Sequence, residues 1–498
     1  MLMSNALVET SYGMVQGEKQ EDVYCWKGIP YAKPPVGALR FRPPAKPESW
    51  VGVRETTQFS PVAPQTSSEI MDFLGNDTTS MDEDCLYLNV WSKGADNKCR
   101  PVMVWIHGGA FISGSGSSSW YDGASFATQG DVVVVTINYR LGILGFLHLG
   151  EIGCEEYASS GNCGILDQVA ALEWVKENIA AFGGDPERIT VFGESAGAMS
   201  IGVLLGFPAA QGLFQQAILQ SGAARNAIPA AKATKVAKKL LHGLNVDETN
   251  LKDLENIPVE KLIEASNLVP PMSLVPVVDG VSLPEQPEVA IAKGSAKDVK
   301  ILIGTNKDEY NIFTAFDPIW KNANEQTISV IFEKTFGPLF PVIAKHYGED
   351  GKLTRDLYNQ LMTMQVFSYP AIKLAEQQIN HGAAIWMYRF DWESPVFGGA
   401  LKAAHALEIP FVWNSLNKPK TENLTGNAPE RQIIADQMHQ VWIAFAQNGH
   451  PCTQTIQNWP QYDMENRSTL IFDLTCRIEE QLDEELRVKW EQALVNLV

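Results

Sequence analysis

The sequence predicts an α/β fold in which a mostly parallel sheet is covered on both faces by helices, and three observations predict it. Five short runs are apolar almost without interruption: "PVMVWIH" from Pro101, "DVVVVTIN" from Asp131, "RITVFGE" from Arg188, "QAILQS" from Gln216 and "VKILIGT" from Val299. A strand with one wet face alternates apolar and polar residues, so continuous apolarity marks strands buried on both faces. Helical sequence separates these runs, and strands alternating with helices require crossovers that lay the helices on the sheet. With 498 residues, 45% of them hydrophobic, the chain can bury a core of that size.

Taken in order, the first two strands bracket a glycine- and serine-rich stretch, "GGAFISGSGSSS". Between the second and third lies "GILDQVAALEWVKENIAAFGGDP", where Leu166, Val169, Leu172, Val175, Ile179 and Phe182 recur at helical spacing. This predicts an amphipathic helix closed by Gly183, Gly184 and Pro186. From about 223 to 267 the texture turns Lys-, Ala- and Leu-rich and helical, and a second helical region covers roughly 322–378. Strand-like sequence resumes at "AIWMYRFDW" from Ala384, and no Pro/Ser/Gly-rich linker divides the parts. The two helical regions are therefore expected as insertions within a single domain spanning 1–498.

The formal net charge of -19 argues against nucleic acid or an anionic membrane surface as a partner, since both reward clustered Lys and Arg. The apolar runs, "VVVVTI" among them, are expected to be too short to span a bilayer. The start, "MLMSNALVETSYG", shows no basic segment followed by an apolar run and a cleavage site, so a cytoplasmic protein is expected. Seven scattered cysteines without a CxxC pair point to reduced thiols, with neither a zinc site nor a disulfide framework.

The chemistry is expected at Gly193-Glu194-Ser195-Ala196-Gly197, which follows a predicted strand and precedes the helix-compatible run "AGAMSIGVLLGF". That strand-turn-helix context is what a nucleophile elbow demands, with flanking glycines allowing close approach around a strained serine. An α/β-hydrolase puts its acid after a later strand and its histidine later still. "VKILIGT" runs into "NKDEYN", which offers both Asp308 and Glu309 at the carboxyl edge, and spacing does not choose between them. Of the downstream histidines, His346, His381, His439 and His450 fall on helical or terminal stretches. His405, in "AAHALEIPFVW", sits in a loop of small residues after a strand. In "WIHGGAF" the glycines free backbone N–H groups to face a substrate oxygen, while His107 is expected to be structural.

With those motifs on the page, the sequence resembles the type-B carboxylesterase/lipase family, the cholinesterase-like α/β-hydrolases, over nearly its whole length. The resemblance rests on "WKGIPYAKPPVGALRFRPP", "EDCLYLNVW", "WIHGGAFISGSG", "NYRLGILGFL", "ITVFGESAGAMS", "PVVDGVSLP", "GTNKDEYNIF", "HALEIPFVW" and "NWPQYD". It implies Ser195 as nucleophile, Glu309 as acid and His405 as base, and it prefers Glu309 to Asp308. It implies oxyanion amides at Gly109, Ala110 and Ala196, and structural ion pairs Arg40–Glu83 and Arg140–Asp167. Two departures stand out. Secreted members pair the Cys of "EDCL" with one near "PVCPQ", but here Pro61-Val62-Ala63-Pro64-Gln65 leaves Cys85 without that partner. The choline-binding tryptophan is also missing from "TSSEIMDFLGND", from Thr66 onward, which argues against a choline-ester specialist.

The resemblance implies a serine carboxylesterase that hydrolyses short or medium acyl, aryl or benzyl esters through an acyl-enzyme, with no metal or organic cofactor. The sequence leaves the oligomeric state open, and a monomer is compatible with it. Phe111, Ile312, Phe313 and Leu407 are candidates for an apolar gorge, and each also reads as ordinary core. Rival readings are a lipase, or an amidase or carbamate hydrolase, with the same triad, and a non-catalytic scaffold protein of the same fold. Glu194 is open between tuning His405, ordering water and being a buried hydrogen-bonded acid.

Overall fold

A computed structural model describes residues 6–66, 73, 80–347 and 352–495. Its centre is an eleven-stranded mixed sheet. In chain order the strands are β1 (Glu18–Gln20), β2 (Val23–Pro30), β3 (Tyr87–Ser92), β4 (Arg100–Ile106), β5 (Val133–Ile137) and β6 (Gly184–Glu194). They continue as β7 (Gln216–Gln220), β8 (Lys300–Asn306), β9 (Ile385–Phe390), β10 (Thr469–Phe472) and β11 (Arg477–Glu479). Their spatial order is β11-β10-β9-β8-β7-β6-β4-β5-β3-β2-β1. Strands β4 to β10 pair in parallel, and both margins are antiparallel, β1-β2-β3-β5 at one and β10-β11 at the other.

All seven residues of β4 are buried. Val102, Val104 and Ile106 join the core on one face, while Met103 and Trp105 join the core on the other, as period-two alternation requires. The first core is closed by α1 (Cys163–Asn178) and α2 (Ala196–Gly206), the second by α9 (Arg431–Asn448). The α/β-hydrolase fold that the sequence predicts is the one observed.

Two expectations are corrected. Helix α1 is buried around most of its girth instead of along one stripe, because Asp167 and Gln168 also turn inward to bond Arg140 and Ser200. Leu166, expected inside, is only partly buried. The other concerns apolar length. One helical stretch, Glu325–Lys345, is by length and composition apolar enough to cross a bilayer. Gly337 and Pro338 interrupt it, and Phe332, Phe336, Leu339 and Ile343 are buried in a separate small core with Tyr358, Leu361 and Trp490.

Helical sequence is found where the two insertions are expected. Helix α3 (Ala230–Gly243) falls in the first. The second contains α5 (Glu325–Phe336), α6 (Phe340–His346) and α7 (Arg355–Thr363), with α8 (Tyr369–Ile379) at its end. A short helix, α4 (Asn311–Ala315), precedes them and follows directly on the loop after β8. All seven cysteines are free thiols. The segment without the choline-binding tryptophan lies outside the described residues except for Thr66 and Phe73.

Candidate active site

The candidate residues meet at the carboxyl ends of the parallel strands, where loops leave an open α/β sheet. Strand β6 delivers Ser195, β4 delivers the glycine loop from Gly108, β8 delivers Glu309, and the loop after β9 carries His405. Ser195 is at φ +54°, ψ -123°, a conformation that side chains avoid, and it is held there by neighbours. Its N–H donates to the Gln220 carbonyl at 2.9 Å, and its carbonyl accepts from Met199 N–H at 2.8 Å. Gly197 must lack a side chain, because a Cβ there would run into the Ile106 carbonyl oxygen.

In the glycine loop, Gly109, Ala110 and Phe111 are successive residues with positive φ, at +109°, +54° and +62°. A Cβ at Gly109 would collide with the Ser113 carbonyl. The resulting tight turn brings Gly108, Gly109 and Ala110 into one chamber with Ser195 and His405. Ala196 opens α2, so its N–H lies among the helix-start donors without an intrahelical acceptor.

His405 Nδ1 lies 2.6 Å from Oε2 of Glu309, which is fully buried, while Glu309 Oε1 accepts from the Asn306 N–H at 2.7 Å. A main-chain bond from His405 N–H to the Glu309 carbonyl, 3.2 Å, ties the two loops together. Asp308 points elsewhere: its carboxylate accepts from Ala403 N–H at 3.4 Å and faces Lys402 and Lys307. The rings of Phe367 and Phe313 flank the imidazole at 4.9 and 5.6 Å.

Glu194 lies on the other side of the imidazole, with Oε1 3.1 Å from His405 Nε2. Among the described residues that oxygen has no hydrogen-bond partner, so the contact is one of charge. Burial pushes Glu194 up to about 8. Burial alone would lower His405, but the carboxylates of Glu194 and Glu309 outweigh it and push the imidazole up to about 9. A third buried acid, Glu408, accepts from Asn306 Nδ2 at 2.7 Å and Gln220 Nε2 at 3.1 Å, and burial raises it too. Glu408 stands three residues after His405, in the turn that leads into the short helix Ile409–Val412, and no local pattern singles it out.

A pH prediction follows from this arrangement. A neighbouring carboxylate favours the imidazolium, so the neutral base forms only at higher pH. Removing that carboxylate moves the acidic limb of kcat/KM down. Glu194→Gln is expected to shift it by roughly one unit toward acid. A kcat/KM profile carried well above the imidazole's titration, in which the limb stays in place or rises, contradicts this.

The remaining histidines have other surroundings. His107 is buried, stacks on Tyr139 at 4.4 Å and has its Nδ1 2.8 Å from the Gly108 carbonyl, and burial lowers it to about 4. His439 Nδ1 lies 2.8 Å from the Val412 carbonyl, and His381 Nε2 lies 2.8 Å from the Ala292 carbonyl. His450 is exposed, and the His346 side chain lies outside the described set. Both ion pairs implied by the resemblance are present, Arg40–Glu83 at 2.7 Å and the buried Arg140–Asp167 at 2.7 Å. Among the described residues no group of three or more His, Cys, Asp or Glu side chains could hold a metal ion.

A serine at a strained strand-helix elbow, a histidine bonded to a buried acid, and a glycine loop facing both define a serine hydrolase of the α/β-hydrolase fold. The chain belongs to the carboxylesterase family, whose profile matches residues 4–489. It is 42% identical to para-nitrobenzyl esterase of Bacillus subtilis over 98% of this chain and 99% of that protein. It is 34% identical to phenmedipham hydrolase of Pseudarthrobacter oxydans over 94% of this chain and 95% of that one. The crystal structure of a Geobacillus stearothermophilus carboxylesterase superimposes with a TM-score of 0.89 at 46% identity, covering 97% of this chain and 100% of that chain. The protein is a carboxylic ester hydrolase acting on small-molecule esters.

Proposed function

We propose that Ser195 is the nucleophile, His405 the general base and Glu309 its orienting acid, with the amides of Gly109, Ala110 and Ala196 as the oxyanion hole. The observation that carries this is the 2.6 Å contact between His405 Nδ1 and Glu309 in the chamber of the strained Ser195. His405 takes the Ser195 proton as Oγ attacks the ester carbonyl, and Glu309 fixes the tautomer and balances the imidazolium. The amides hold the oxyanion, each worth about 2.7 to 4 kcal/mol of barrier. His405 returns the proton to the departing alcohol, and water then releases the acid by the same steps. The residues named complete this cycle without a metal or organic cofactor.

The substrates we assign are short or medium acyl esters of aryl or benzyl alcohols. The chamber at Ser195 is only about 110 Å³ and is walled by Trp120, Tyr121, Ile312, Phe313 and Ile409. Cavities of about 320 and 570 Å³ elsewhere in the molecule contain neither Ser195 nor His405. We favour the smaller one because the reactive groups converge there. The name of the para-nitrobenzyl esterase relative supports a benzyl alcohol half. With this go a single α/β-hydrolase domain roofed by its helical insertions and a monomer acting in the cytoplasm without membrane or nucleic-acid partners.

The test is a para-nitrophenyl ester series from acetate to palmitate. Activity is expected to peak at short to medium chains and to fall at least tenfold by palmitate, since each methylene beyond the chamber adds no burial. A maximum at the longest chains, rising further on emulsified substrate, favours a lipase and removes the small-chamber reading.

A further inference from the structure

We propose that Asn306 is the positioning residue of the triad. Its side-chain amide clamps the turn that carries His405 from both ends, and its main-chain N–H fixes the carboxylate of Glu309. The proposal rests on the assignment of His405 and Glu309 above.

Asn306 is the last residue of β8, pairs with Phe390 of β9 and is fully buried. Its main-chain N–H donates to Glu309 Oε1 at 2.7 Å. The side chain serves the base instead. Nδ2 donates to the Ala404 carbonyl and to Glu408 Oε2, each at 2.7 Å. These acceptors stand 98 and 102 residues further along the chain, whereas a turn or cap asparagine bonds backbone a few residues away. The amide can face only one way, because the Ala404 carbonyl cannot donate and so must meet NH₂.

What the clamp holds is a strained turn. Ala406, next to the base, is at φ +66°, a region that residues with a Cβ disfavour. Such backbone persists only where its surroundings hold it. Ala404 lies two residues before Ala406 and Glu408 two after, so one amide closes the turn at both ends with His405 inside it. The main-chain ties from the β8 loop, Asp308 N–H to the Ala403 carbonyl and His405 N–H to the Glu309 carbonyl, act only on the entering side.

Glu408 carries the register on to the nucleophile. Its other oxygen accepts from Gln220 Nε2 at 3.1 Å, and the Gln220 carbonyl accepts from Ser195 N–H at 2.9 Å. Trp442 Nε1 donates to Gln220 Oε1 at 3.0 Å, which sets the direction of that amide. Acid, base and nucleophile thus share one frame with Asn306 at its centre. Shifting a reacting group by about 1 Å costs on the order of a hundredfold in rate, so the frame matters to the chemistry.

The experiment measures Asn306→Leu and Asn306→Asp on para-nitrophenyl butyrate. Leucine keeps the volume and removes both donors. Aspartic acid keeps the shape, and the buried acids beside it hold it neutral, so its O–H replaces one donor. In Asn306→Leu kcat is expected to fall on the order of a hundredfold with KM within about twofold of wild type. Asn306→Asp is expected to recover about tenfold of that loss, one hydrogen bond being regained. The low-field NMR resonance of the His405 Nδ1 proton is expected to shift in the leucine variant and to return toward its wild-type position in the aspartic acid variant. An asparagine that only stabilised the fold would move neither kcat against KM nor that resonance. Unchanged kcat in Asn306→Leu, a loss carried by KM alone, or a loss with the resonance unmoved overturns the clamp. Where the leucine variant does not fold, Asn306→Asp decides, and kcat within about twofold of wild type with an unmoved resonance overturns it. Glu309→Gln on the same ester tests the underlying assignment separately, since wild-type activity there removes it whatever Asn306 does.

Discussion

Ser195→Ala is expected to lower kcat on a para-nitrophenyl ester by about a millionfold while the protein stays folded. That is the order of loss when the nucleophile of a triad is removed, because the members act as a unit. Without Oγ no acyl-enzyme forms, and His405 has no serine proton to take. On the proposed assignment the oxyanion amides remain to bind the carbonyl and assist attack by water, so a residual rate above the uncatalysed one is expected. The fold should tolerate the change. Ser195 is held by its main-chain bonds to Gln220 and Met199, which alanine keeps, and alanine meets the same steric cost at φ +54°. Single-turnover kinetics and a thermal melt, run together, check it. Retention of more than about one part in a thousand of the activity, with the melt unchanged, means that another group carries the reaction.

How much of this was legible in the sequence depended on burial. Strands β4 to β9 announced themselves because both faces are covered, which turns alternation into unbroken apolar runs such as "VMVWI". The antiparallel margin did not. Strand β1 is "EKQ", three residues at the edge, and β2 is broken in register between Trp26 and Ile29 around Lys27 and Gly28. Neither carries a periodic signal. In the site, Ser195 was legible because its elbow needs glycines at fixed offsets, and His405 because a small-residue loop follows a strand. The surroundings of the imidazole were not legible. Glu194 lies 3.1 Å from Nε2 only because β6 ends where the β9 loop folds back, and Glu408 reaches Asn306 and Gln220 across more than a hundred residues. Such contacts depend on tertiary closure, which local pattern does not encode.

Glu309 and Asp308 show the same limit at adjacent positions, and the expected result separates them sharply. Glu309→Gln is expected to lower kcat/KM by about ten-thousandfold, and Asp308→Asn by less than about threefold. The reason is proton placement. Glu309 uses both oxygens as acceptors, Oε1 for the Asn306 N–H and Oε2 for the His405 Nδ1 proton. A glutamine has one acceptor to offer. If its oxygen serves the Asn306 N–H, its NH₂ faces Nδ1 and forces the ring proton onto Nε2, where the lone pair that should take the Ser195 proton is lost. If the amide turns over, NH₂ meets the Asn306 N–H and two donors collide. The first arrangement keeps the packing, so the loss should fall on kcat with KM and the melting temperature little changed. Asp308 has no such duty, since its carboxylate faces Ala403 N–H and Lys402 on the far side of the loop. Asparagine keeps an oxygen to accept from that amide. Comparable losses at the two positions, measured on one substrate at one pH, would refute the assignment of Glu309.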